Sequence, residues 1–284
     1  MMKKIIIFLF IYVLYSPQNQ RFLYDSKSYG KSEVFALDVG ISGSRFHSFE
    51  NHKIDSLKNL EAERQFKEQG YFFISNKELD NIVFTKNYIT KTYPDFQTDL
   101  FTKLGLYNYK VTDNRQINWQ ISPETSVIAG YEVQKAETEM YGRKWTAWFA
   151  PKIMIQDGPY KFHGLPGLIV KITDESENFD YQLFAVKDLK SAPDYSRSEH
   201  RPKEGKILAV DYPTYKKLFN ENLQDPQKFL FPANAASNKS LTETRKDKNG
   251  KQVQKTVSKE EFNEKMQMIL KNKSQKILEK DLLQ

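Results

Sequence analysis

The chain has no cysteine in 284 residues. That absence excludes disulfide bonds, thiol catalysis, cysteine-held metals and the lipid-bearing N-terminal cysteine of a lipoprotein. Glycine is scarce, at 12, beside 20 Phe and 16 Tyr, a balance that points to a strand-rich, aromatic-packed protein rather than a helical bundle or an unfolded chain. Long apolar runs are also missing. The longest, Ile5 to Tyr15, is too short to cross a bilayer and no transmembrane helix is predicted. An excess of one charge is missing from the body of the chain. The net charge is +7, of which Lys3 and Lys4 carry two and residues 234–284 carry five, through twelve Lys/Arg against seven Asp/Glu, so residues 21–233 are neutral. A neutral body with a basic tail argues against nucleic acid as a partner.

What is present divides the chain into four parts. Lys3 and Lys4, the apolar stretch behind them and the polar exit Ser16-Pro17-Gln18 give residues 1–20 the form of a secretory signal, cleaved near Gln18 to Gln20. The expected product is exported and soluble. Residues 21–233 form the main domain, 234–257 a flexible polar segment, and 258–284 a C-terminal helix. That helix starts at the capping box Ser258-Lys259-Glu260-Glu261 and carries Phe262, Met266, Ile269 and Leu270 at helical spacing.

Within the main domain, alternation predicts strands over residues 21–25, 33–39, 43–49, 71–74, 81–90, 105–112 and 116–121. A short helix is expected from Leu57 to Gln69. The strongest hairpin runs from Val127 through Thr138, turns near Tyr141-Gly142 and returns over Arg143 to Phe149. Strands at 168–173 and 181–186 follow, then a polar loop over 191–206 and a helix start at Asp211. So many strands with few helices between them imply a mainly β fold, a single curled antiparallel sheet of the half-barrel, meander kind.

One stretch stands apart from the rest, Asp157-Gly158-Pro159-Tyr160-Lys161-Phe162-His163 followed by Gly164-Leu165-Pro166-Gly167-Leu168-Ile169. Gly158 and Pro159 signal a turn; Gly164, Pro166 and Gly167 make a rigid corner; Leu168 and Ile169 open a strand. A phosphate-binding loop is excluded, because Pro166 removes an N–H donor and no Lys-Ser/Thr pair follows. Residues 164–169 spell the hexapeptide after which the GLPGLI family is named. With the blocks at 130–136 and 143–151 and the start Asn19 to Tyr24, the chain resembles that family over most of its length. The resemblance implies export into the envelope of a Bacteroidota cell, in the periplasm or at the outer membrane, and as partner either an outer-membrane protein of the TonB-dependent receptor type or an apolar ligand. It implies no reaction.

The residues themselves supply no catalytic motif, and no cofactor or metal site is predicted. His47 and His52 are spaced for neither one helix face nor one strand face, so both read as surface residues. Asp157 and Asp174 read as turn and strand-end residues. The candidate binding surface is aromatic: Trp119, Tyr131, Trp145, Trp148 and Tyr160, with Arg143 on the Trp145 face as an anion or cation–π partner. Trp145 and Trp148, three apart on one strand, should face opposite sides of the sheet. The leading expectation is a non-catalytic envelope binding or carrier protein whose curled sheet offers an apolar hollow. An accessory subunit of a TonB-dependent transporter is the alternative, and an enzyme the third.

Overall fold

Period-2 alternation governs the architecture. In the computed structural model, which describes residues 19–49, 87–191, 206–230, 241–246 and 252–284, β1 (Gln20–Ser28) buries Phe22 and Tyr24 on one face. The chain then folds as two meanders. The first comprises β1, β2 (Lys31–Gly40), β3 (Gly43–Ser48), β4 (Tyr88–Thr92), β5 (Thr98–Leu104) and β6 (Tyr107–Asp113). The second comprises β7 (Gln120–Ile128), β8 (Tyr131–Met140), β9 (Arg143–Ala150), β10 (Leu168–Asp174) and β11 (Phe179–Asp188). Pairing of β1 with β11 joins them, and β12 (Ile207–Asp211) completes a 12-stranded sheet in the order β12-β6-β5-β4-β3-β2-β1-β11-β10-β9-β8-β7. The sheet is open, with β12 and β7 at its edges.

The sheet is also mixed, which corrects the all-antiparallel expectation: β12 runs parallel to β6. Parallel neighbours need a long crossover, and here the whole second meander lies between the two strands. Two further differences are local. The strand expected through Val127 to Thr138 is broken at Ala129 and Gly130, whose φ values of 52° and 83° make a tight hairpin turn. Strand β5, unexpected, buries Leu100, Thr102 and Leu104 on one face, with Asp99 buried as well.

After β12, Asp211 caps α1 (Tyr212–Gln224) by accepting a hydrogen bond from the Thr214 N–H at 3.0 Å. The short α2 (Gln227–Leu230) follows. Residues 234–257, expected as a flexible polar stretch, contain an antiparallel hairpin of β13 (Leu241–Lys246) and β14 (Gln252–Val257). Then α3 (Lys259–Ser274) begins at the expected cap, Ser258 Oγ accepting from Glu261 N–H at 3.1 Å. It ends ten residues before the expected boundary, and a 3₁₀ turn over Lys280–Leu283 closes the chain. No helix among the described residues is long and apolar enough to cross a membrane. Residues 1–18 of the expected signal, the helix at 57–69, the strand at 71–74, most of that at 81–90 and most of the 191–206 loop lie outside the described residues, while Gln20, expected in the signal, opens β1.

Candidate functional site

Between β9 and β10 the chain leaves the sheet, crosses its inner face and returns. Residues 153–157 run back along 163–169, tied by Gly164 N–H to Gln156 O (2.9 Å), Leu168 N–H to Ile153 O (3.2 Å) and Ile169 N–H to Asp157 O (3.0 Å). Gly164 and Gly167 both have positive φ, 91° and 155°. At Gly167 the reason is space as well: a Cβ there would stand 2.3 Å from the Ala150 carbonyl oxygen. Leu165, Leu168 and Ile169 are buried, as expected of a corner tucked against a core.

What the corner touches defines the shape of the sheet. Lys161 reaches Asp113 at the end of β6 (2.8 Å), while its neighbour Phe162 packs on Trp145 of β9 (centroids 4.8 Å apart). Those two strands are eight steps apart in the sheet order, a distance of roughly 38 Å if the sheet were flat. The sheet must therefore curl around the corner. Tyr24 of β1, between them, donates to Ile169 O at 2.8 Å.

Two buried ionic clusters fasten this plug. In the first, Ser44, Lys91 and Tyr93 converge on Asp157: the Ser44 and Tyr93 hydroxyls donate to Oδ2 at 2.5 Å each, and the Lys91 ammonium pairs with Oδ1. Lys91 also donates to Gly158 O (2.8 Å) and Phe162 O (3.2 Å). Its burial pulls the ammonium below its usual range against the attraction of Asp157. Burial, with the Asp157 charge second, pushes the Tyr93 phenol well up. The residue types resemble those of a general acid–base site, but every proton on the Lys91 nitrogen is engaged by the corner. Their role is to hold the plug. Asp157 thus does more than serve its turn.

In the second cluster Lys161 lies between Asp113 and Glu279, and Arg115 contacts Asp113 (2.7 Å), Glu279 (3.3 Å) and Asp281. The Arg115 guanidinium stacks 3.5 Å from the Tyr212 ring centre. Burial pushes the Asp113 carboxyl up, but hydrogen bonds from Arg115 and the charge and hydrogen bond of Lys161 outweigh it and hold the group at about 2. Burial raises the phenols of Tyr141, Tyr160 and Tyr212, and the nearby carboxylates raise them further.

Most of the expected aromatic surface lies in this interior rather than along a groove. Trp145 is buried, with Trp119, Tyr141 and Tyr160 around the same Phe162. Trp119 Nε1 donates to His163 O at 2.8 Å. Trp148 does face the opposite side from Trp145, half-buried, as the alternation predicts, and Tyr131 is half-buried at the start of β8. Arg143 shares the Trp145 face but is not available to a ligand. It is buried, pairs with Asp174 at 2.8 Å, and donates to the carbonyls of Ile277 and Leu278. His47, expected at the surface, is buried with Nε2 at 3.1 Å from Asp38; His52 lies outside the described residues. His163 stacks on Phe96 at 4.7 Å, and burial, with the Lys91 charge second, lowers its imidazole to about 4. Lys91, Lys161, Asp113, Arg115 and Glu279 were invisible to motif reading, since Lys161 meets partners 48 and 118 positions away. Among the described residues no group of three His, Asp or Glu is placed to hold a metal ion.

The fold and this interior define a class: a mainly β protein whose open, curled sheet is filled by its own β9–β10 connection and fastened by ionic clusters. Comparison with known proteins is consistent in position, because a family described as "Protein of unknown function (Porph_ging)" matches residues 138–171, which include the whole corner. No curated protein matches the chain. Among solved structures it is similar to PNGF-II in two crystal forms, at 18% and 17% identity over 71% of this chain, with TM-scores of 0.47 and 0.48. The chain spans about a third of the length of those PNGF-II chains (33% and 32%). It is also similar to MucB, at 8% identity over 68% of this chain and 60% of MucB, with a TM-score of 0.33.

Proposed function

We propose that the chain is a non-catalytic binding protein of the cell envelope, an exported member of the GLPGLI family, and that its ligand is a polypeptide held outside the sheet. The observation that carries this reading is the plug. Leu165, Phe162 and Ile169 occupy the hollow in which a carrier would seat an apolar molecule, and Lys91 and Lys161 anchor them there. Binding is left to the surface, where the last strand, β7, offers an open edge. Its Ile121 and Val127 are 49% and 69% exposed. Pro123 and a register shift between Ile121 and Thr125 blunt the first half of the edge, while Thr125 to Ile128 keep regular pairing with β8. Met154, 91% exposed, lies in the connection after β9, where Lys152 pairs with Glu132 of β8 (2.5 Å). An edge of this kind takes an added strand, with main-chain hydrogen bonds for affinity and Val127 for contact.

Under this reading the partner is an outer-membrane protein of the TonB-dependent receptor type, and the chain is its accessory subunit. A photo-crosslinker at position 127, activated in intact cells, tests it. The expected result is one adduct with a membrane barrel, abolished for a probe at position 125 by Val127→Lys with the melting temperature unchanged. A purified protein carrying one lipid per chain, with no adduct from either position, would favour the carrier reading instead.

A further inference from the structure

The last residues of the chain are bound as a ligand peptide is bound. Arg143 donates through Nε to Leu278 O and through Nη2 to Ile277 O, both at 2.9 Å. The Lys280 N–H donates to Tyr141 O at 2.8 Å, and Asn220 Nδ2 donates to Leu282 O at 2.8 Å. Glu279 accepts from Lys161, Arg115 and the Tyr160 hydroxyl, and Asp281 accepts from Arg115. Leu282 is the buried apolar anchor, and Gln284 is exposed. Backbone capture, carboxylates met by cations and one apolar side chain in a recess are the components of peptide recognition.

Charge complementarity separates the segment from the surface beneath it. The segment's two carboxylates meet cations: Glu279 lies against Lys161 and Arg115, and Asp281 against Arg115, with Asp113 the one carboxylate that shares those cations. Burial first, then the Glu279 charge and, further down, the charge of and a hydrogen bond with Asp281 raise the Tyr212 phenol, so the segment engages that hydroxyl as well. The segment also joins the two sides of the curl, because Asp113, Arg115 and Tyr212 belong to the β6 side and Tyr141 and Arg143 to the β8–β9 hairpin. Its hold depends on polar contacts and one deeply buried leucine, so it opens at lower cost than the sheet.

We propose that Ile277–Leu283 is a latch, and that the surface it covers is a recognition site for an acidic peptide segment, occupied in cis by the chain's own Glu279-Lys280-Asp281-Leu282 and taken over by a partner's segment when the latch opens. The site is separate from the β7 edge and does not depend on it.

The test uses the full chain and a labelled peptide of residues 275–284. Glu279→Lys with Asp281→Lys sets like charges against Lys161 and Arg115 and releases the latch. The released chain is expected to bind the peptide at least tenfold more tightly than the wild type, in which the cis segment competes. A peptide with both acids replaced by Lys should not bind. Absence of peptide binding to a released chain that keeps its sheet circular dichroism would overturn the proposal. Hydrogen exchange on the wild type decides the matter if the released chain fails to fold. The Lys280 amide should exchange at least 100-fold faster than those of Ala147 and Ile172, and equal protection would show the segment to be an ordinary part of the fold.

Discussion

At the scale of single residues, the two glycines of the corner differ in a measurable way. A Cβ at Gly164 meets nothing within 4 Å, so Gly164→Ala suffers only from its φ of 91° and should cost about 1–2 kcal/mol. At Gly167 the Ala150 carbonyl oxygen would lie 2.3 Å from the new atom, so Gly167→Ala must move backbone and should cost about 3 kcal/mol or more. Urea unfolding of the two variants checks the order; equal losses would mean that conformation alone governs the corner. The need for glycine was legible in the sequence, and so was the opposite facing of Trp145 and Trp148, because both follow from local backbone geometry. The fate of Arg143 was not. Strand alternation puts it on the Trp145 face, but whether that face is a groove or a core depends on Ile277 and Leu278, more than 130 positions further along.

At the scale of elements, local signals succeeded where one residue type marks a boundary. Ser258 with Glu261 marks the start of α3, Asp211 caps α1, and Tyr141-Gly142 turns the β8–β9 hairpin. They failed where an unusual residue takes the special position. Ala129 sits at φ 52° in the β7–β8 turn, a place that usually takes Asn or Gly, so the turn passed for strand. Ala129→Asn should therefore raise stability by about 0.5–1 kcal/mol, and Ala129→Val should lower it. Thermal melts of both variants test this, and a stabilising valine would count against the turn geometry. The parallel β12 was illegible for a different reason. Its pairing is chosen by the edge that β6 leaves free, which exists only after the first meander has folded.

For the whole molecule, burial of ionisable groups around the plug ties stability to pH. His163 has its imidazole lowered from 6.5 to about 4, by burial first and by the Lys91 charge second. Between those values the unfolded chain binds a proton that the folded chain refuses, so stability is complete above pH 6.5 and falls as pH drops toward 4. The linked loss is on the order of 2–3 kcal/mol. Asp113 acts lower down: held at about 2 against an ordinary 3.8, it contributes stability that is present above 3.8 and lost as pH falls through 2. His163→Phe keeps a ring to stack on Phe96 and removes the first term alone. Urea midpoints followed from pH 8 to pH 3 should fall between 6.5 and 4 for the wild type and stay level there for the variant. Below 3.8 the two curves should descend in parallel. If both fall equally between 6.5 and 4, the proton is taken up elsewhere, and the corner is not the part of the molecule that senses acid.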